Sequence, residues 1–176
     1  QEQHRELSKY VTHLYGSMIY ERFASNEKFP SFTLGEAFET GKQLIIIYRE
    51  TRFIDIKFFY SYQWPNPLPQ KTKTSDLLKA LDENLLQRRP DQGYCTQVLL
   101  TPTPAFILLR FYSTLRKKCA KKVDKKCKEW VEKQEPGIFR DDEKRRSNVF
   151  LIDFVDLEDA SFPKIIIDLN MKLLGN

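Results

Sequence analysis

The sequence predicts an α/β fold with a parallel sheet, and it predicts one part of such a fold. Apolar, β-branched runs alternate with amphipathic stretches in the order helix, strand, helix, strand, helix, helix, strand, helix, the pattern of parallel strands joined by helical crossovers. About three of these runs read firmly as strands. The chain also opens in a helix, so a portion of a larger barrel or sheet fits better than a complete one.

The first helix is expected over residues 1–23, where Leu7, Tyr10, Val11, Leu14, Tyr15 and Met18 form an apolar stripe at helical spacing. His4 and His13 lie off that stripe and read as solvated surface residues. Pro30 ends the connection that follows. Thr33, with Glu36 three residues on, forms a capping box for a short helix over 33–40, and Gly41 closes it. Residues 43–48 are a continuous apolar run and read as a fully buried parallel strand. The aromatic segment 53–62 and the proline-rich stretch 63–69 read as an ordered loop with a short edge strand at 57–62.

Thr74 or Ser75 caps a helix over 76–87 that buries Leu77, Leu78, Leu81, Leu85 and Leu86. A turn over 88–93 leads to a strand over 94–100, and Thr101-Pro-Thr-Pro stops it. A helix over 104–118 follows, then a lysine-rich segment. Another helix near 125–134 anchors Trp130 and Val131, and Pro136-Gly137 ends it. After a charged loop over 138–147, residues 148–156 read as an apolar strand with one carboxylate, Asp153, set among Phe, Leu, Ile and Val. An ionised carboxylate buried there needs a partner, and no credible one lies nearby in sequence. The last helix, over 162–174, buries Ile165, Ile166, Leu169 and Leu173.

With 176 residues, the chain fits one domain or a large part of one. Its 41% hydrophobic and 30% charged content is too apolar for disorder. No run approaches the ~20 apolar residues of a membrane span, and no signal peptide is visible. Because Gln1 is not Met, an upstream segment is expected, removed by processing or by design. Much of the net charge of +5 falls between Arg110 and Lys128. That block, with Lys117, Lys118, Lys121 and Lys122, suits phosphates or anionic headgroups, or else forms a solvated helix face. Without a recognised motif beside it, nucleic acid is not an expected partner.

The cysteine spacing matches no zinc site, and with two histidines a metal centre is not expected. Cys95 reads as a buried strand thiol. Cys119 and Cys127 can form a disulfide only if the helix breaks near 120–124, because eight helical positions span about 12 Å. That bridge is favoured over reduced thiols, chiefly because the Gln1 start suggests processing, and it implies an extracellular protein.

Taken together, several stretches resemble the C-terminal half of the phosphatidylinositol-specific phospholipase C X domain. They are Gly41-Lys-Gln-Leu-Ile-Ile-Ile-Tyr48, Gln63-Trp-Pro-Asn66, Thr96-Gln-Val-Leu-Leu-Thr-Pro102, Trp130-Val-Glu-Lys-Gln-Glu-Pro-Gly137, Asn148-Val-Phe-Leu-Ile-Asp-Phe-Val-Asp156 and the final Ile-Asp-Leu-Asn170. The resemblance implies that residues 1–176 are the C-terminal half of a distorted TIM (β/α) barrel. It also implies a phosphodiesterase in which the inositol 2-hydroxyl attacks the lipid phosphodiester. One His acts as general base and another as general acid, with an Arg or a metal stabilising the developing charge. Those groups belong to the N-terminal half, which is absent here; His4 and His13 do not match them.

Any metal dependence would therefore be set by that half, and no cofactor is required by this chain. Asp153 matches the last-strand Asp that orients the general-base His; its alternative is a structural pair with a barrel Arg or Lys. Asp156 reads as a loop or helix N-terminal carboxylate. Tyr48 stands at the end of its strand, where some family members place a basic residue on the inositol, so tyrosine puts that contact in doubt. Trp64 and Gln97 are further substrate-binding candidates, against core packing and a satisfied interior amide. The implied partners are the N-terminal half, covalent or cleaved, and anionic phospholipid. The competing function is a non-enzymatic binding protein, secreted or membrane-associated, on a degenerate barrel of this kind.

Overall fold

The computed structural model describes residues 2–21, 33–53, 55, 57–90, 92–109, 112–137 and 146–174. They form two compact units, Gln1–Pro65 with Asp91–Gly93, and Asn66–Pro90 with Tyr94–Asn176.

In the first unit, helix α1 (Glu2–Tyr15) runs into a 3-10 turn, Gly16–Met18. Ile19 then makes a parallel bridge to Leu44: the Tyr20 N–H donates to the Leu44 carbonyl at 2.8 Å, and the Leu44 N–H to that of Met18 at 2.9 Å. Strand β1 (Ile47–Tyr48) pairs in parallel with β2 (Phe59–Tyr60), Ile47 opposite Phe59. Ile19, Phe58 and Phe59 are fully buried, and the Tyr20 ring stacks on Phe59. Helix α2 (Leu34–Thr40) has the predicted ends. The Thr33 hydroxyl accepts the Glu36 N–H at 3.1 Å, and Gly41 takes the left-handed conformation at φ 67°, which glycine adopts without steric cost. The connection around Pro30 lies outside the described residues.

Two expectations for this unit change. The ladder of β1 is two residues long and half-buried, where a fully buried strand over 43–48 was expected. On α1 the polar side faces inward. His4, Ser8 and Val11 share one helical face; the Ser8 hydroxyl donates to Asp55 Oδ2 at 2.9 Å, and His4 Nδ1 shares a 2.6 Å hydrogen bond with the Tyr48 hydroxyl. His4 is therefore not a solvated residue, although His13 is exposed. The apolar stripe is turned outward, with Leu7, Tyr10 and Leu14 all exposed.

In the second unit, helix α3 (Thr74–Leu86) leads to strand β3 (Cys95–Gln97) and helix α4 (Pro104–Leu108). A π-helical turn, Arg116–Ala120, runs directly into α5 (Lys121–Glu132). Strand β4 (Val149–Leu151) and helix α6 (Leu157–Leu169) complete the unit, with a 3-10 turn over Asn170–Leu173. Strands β3 and β4 are parallel, Cys95 opposite Val149 and Gln97 opposite Leu151. The core joins Leu77 and Leu81 of α3, Val98 after β3, Val123, Cys127 and Val131 of α5, and Phe162 and Leu169 of α6. On α3, Leu77, Leu81 and Leu85 are buried as predicted, but Leu86 is exposed. Leu173 also faces outward. The expected helix over 104–118 is two pieces: α4 stops at Leu108, and helix resumes at the π turn.

Helix α6 has an irregular start. Glu158, Asp159 and Ala160 all take left-handed backbone angles, with φ of 47°, 57° and 54°. Such a turn costs L-residues roughly 1–2 kcal/mol each. Salt bridges hold its side chains, Lys128 to Glu158 at 2.6 Å and Lys164 to Asp159 at 2.7 Å.

Candidate functional site

The strand expected over 148–156 ends at Leu151, and this moves its carboxylate. The chain bends at Asp153 and turns at Phe154, whose φ is 55°. Asp153 is exposed just beyond the C-terminal end of β4, so the expected burial in an apolar strand is corrected. It makes no hydrogen bond or ion pair among the described residues. Beneath it, Val98, Leu100, Cys119, Val123 and Ile152 line a cleft with about 10 Å³ of free space, at most the room of one water. This cleft is too small for a sugar ring.

The loop carrying Asp153 is tied down on its far side. The Arg116 guanidinium makes two bonds to the Asp156 carboxylate, at 3.2 and 2.7 Å, and lies 5.6 Å from the Phe154 ring centroid. That bidentate bond holds the Asp156 carboxyl below its ordinary range. Arg116 is the first residue of the π-helical turn, and such turns are frequent at functional sites.

The remaining substrate-binding candidates are engaged elsewhere. Gln97, the last residue of β3, is buried and donates its amide N–H to the Asn66 carbonyl at 2.6 Å. Tyr48, the last residue of β1, turns toward α1 and its bond with His4, whose ring stacks on Phe53 at 5.0 Å. Trp64 is half-buried with its ring against Gly93, where a Cβ would meet the ring at 2.2 Å; only glycine fits there. Tyr48 and Trp64 belong to the first unit, Gln97 and Asp153 to the second.

The lysines lie on the second unit: Lys117, Lys121 and Lys122 are exposed, and the Lys118 ammonium sits 5.4 Å from the Tyr112 ring centroid. Cys119 and Cys127 lie on one unbroken helical stretch, and neither is in a disulfide. The break that a bridge would need is missing, so the favoured bridge is corrected and gives no support for an extracellular setting. Burial pushes the Cys127 thiol up to about 12. Cys95 is half-buried, and burial raises its thiol too. No group of metal-ligating side chains occurs among the described residues.

Two buried charges were missed. Asp124 on α5 is 1% exposed, with the Lys128 ammonium 2.8 Å from Oδ2, and Lys128 also reaches Glu158. Burial alone would lower the Lys128 ammonium, but the bonds to Asp124 and Glu158 outweigh it and hold it above its ordinary value. The helical spacing of Ala120, Val123, Cys127 and Val131, with an i,i+4 lysine, could have found Asp124. The second charge is Arg88, buried at the end of α3. It donates to Asn148 Oδ1 at 2.5 Å and lies 5.9 Å from the Tyr94 ring centroid. Burial lowers its guanidinium to about 10 and raises the Tyr94 phenol to about 12.

These features describe a mixed helix-and-strand protein of α/β type, with parallel pairs and an exposed carboxylate beyond one strand's C-terminal end. Its sequence is similar to those of known proteins. The chain is 24% identical over 169 residues to PI-PLC X domain-containing protein 3 of Mus musculus, and matches the proteins of that name from Bos taurus and Homo sapiens to the same degree. The match covers 95% of this chain and 49% of each relative, so the chain spans about half the length of the curated relatives it matches. The similarity to the PI-PLC X domain-containing proteins is distant, and it supports the resemblance seen in the sequence. No family model and no solved structure matches it.

Proposed function

We propose that this chain is the C-terminal portion of a phosphatidylinositol-specific phospholipase C-like phosphodiesterase, half of a distorted TIM barrel that works only with its N-terminal half. The likeness to about half of each PI-PLC X domain-containing relative supports this reading. So does the pairing, since β1 with β2 and β3 with β4 are parallel neighbours consecutive in sequence, as barrel strands are wound. The uncovered apolar stripe of α1 supports an adjoining partner. The observation that carries the reading is Asp153, an exposed carboxylate beyond the C-terminal end of its strand, the end at which barrel enzymes build their sites.

In this mechanism the N-terminal half supplies both histidines. The general-base His takes the proton of the inositol 2-hydroxyl as its oxygen attacks phosphorus. The second His gives a proton to the departing diacylglycerol oxygen. Asp153 accepts the base's other N–H, which fixes its tautomer and stabilises the imidazolium. Any metal would be held by the N-terminal half. The full-length protein is expected to release diacylglycerol from phosphatidylinositol vesicles, and residues 1–176 alone are not. Turnover by the 1–176 segment alone would overturn the reading.

A second reading is a non-enzymatic binding protein on the same barrel. It is favoured by Gln97 and Tyr48, whose polar groups are already bonded to Asn66 and His4. The same assay separates the two: binding of phosphatidylinositol vesicles by the full-length protein without product would select the binder.

A further inference from the structure

Asp153 stands on a loop that its own side chain does nothing to hold. The β4 ladder stops at Leu151, the chain bends at Asp153, and Phe154 takes a left-handed angle with φ 55°. Asp153 makes no hydrogen bond or ion pair among the described residues. A carboxylate that has to meet an imidazole within hydrogen-bond reach needs its backbone fixed by other groups.

One side chain grips this loop twice. The Arg116 guanidinium lies 5.6 Å from the centroid of the Phe154 ring, and it makes bonds of 3.2 and 2.7 Å to the Asp156 carboxylate. A planar guanidinium can stack on a ring and fork onto a carboxylate; an ammonium lacks that geometry. Arg116 is itself firmly based. It opens the π-helical turn whose Cys119 and Ala120 are buried, and both line the small cleft beneath Asp153 together with Ile152. The segment that carries the clamp and the segment that carries the carboxylate therefore pack on each other. Arg116 and Asp156 are 42% and 64% exposed, and a pair so open to water adds little to stability. Its geometry suits positioning instead. Further along the chain the ties are separate, Glu158 to Lys128 and Asp159 to Lys164. We infer that Arg116 is a positioning residue for Asp153: it touches no reacting group and sets, through Phe154 and Asp156, where the Asp153 carboxylate is held. Its effect on turnover rests on the phosphodiesterase reading; its hold on the loop does not.

The test compares the full-length protein with its variants on phosphatidylinositol vesicles and, separately, by amide hydrogen exchange. Arg116→Gln should lower kcat by up to about 100-fold, the cost of a misplaced catalytic group, with KM unchanged. Asp156→Asn removes the same bond without touching the π-helical turn and should act in the same direction, which covers a failure of the first variant to fold. Added to Asp153→Asn, Arg116→Gln should cost nothing more, because both act through one carboxylate. Arg116→Asp with Asp156→Arg should restore part of the loss. Lys164→Met breaks a more exposed bridge nearby and should leave kcat as it is. Amides 154–157 should exchange faster in Arg116→Gln than in the wild type, whether or not the protein turns over lipid. A wild type without turnover would defeat the phosphodiesterase reading and leave exchange to judge the clamp. Unchanged exchange at 154–157 would sink the inference, as would an undiminished kcat in Arg116→Gln or a fall shared by Lys164→Met.

Discussion

Asp124 and Lys128 are the pair on which the second unit's charge balance depends. The Asp124 carboxylate is 1% exposed and the Lys128 ammonium stands 2.8 Å from it, the pairing that a buried carboxylate requires. Lys128→Met leaves that charge alone in the core and also releases Glu158, so stability should fall by about 3–5 kcal/mol in urea unfolding. An unchanged midpoint would mean that Asp124 has another partner. Cys127 makes a separate prediction. The ordinary thiol value is 9.0, and burial raises this one to about 12. The folded protein therefore holds a proton that the unfolded chain releases, so this contribution is intact below pH 9 and is lost as the pH rises toward 12. The loss is about 1.4 kcal/mol per pH unit within that window, and Cys127→Val should flatten it. Near pH 10–12, Tyr94 and Arg88 oppose each other: the raised phenol loses stability as pH climbs past 10, and the depressed guanidinium regains it.

At the scale of elements, the sequence was legible where local chemistry decides. Thr33 and Gly41 bound α2 as their types require, and the leucine spacing of α3 found most of its buried face. It was illegible where tertiary packing decides. Nothing in residues 148–156 marks the bend, since neither Gly nor Pro interrupts the apolar run; an exposed loop carboxylate therefore read as a buried strand one. Asp124 was hidden among lysines that read as a solvated face. Apolar spacing on α1 showed which residues share a face, but not that the opposite face would be bonded to Tyr48 and Asp55. The left-handed turn Glu158–Ala160 had no glycine to announce it. Ala160→Gly relieves one left-handed Ala there, and the thermal midpoint should rise, by about 1 kcal/mol of stability; a fall would mean the turn is regular helix in solution.

For the whole molecule, the central claim is that Asp153 awaits a histidine from the other half of a barrel. The first unit leaves the apolar stripe of α1 uncovered, and the second exposes a carboxylate past a strand end. The measurement that tests this most directly is the pH–rate profile of phosphatidylinositol hydrolysis by the full-length protein, with and without Asp153→Asn. The account predicts a fall in kcat of up to about 10⁴-fold, since the wrong imidazole tautomer is then favoured. It also predicts a displaced acidic limb in that profile, the limb that the general-base imidazole sets, and an unchanged unfolding midpoint, because Asp153 bonds to nothing else described. Undiminished turnover with an unshifted profile would contradict it.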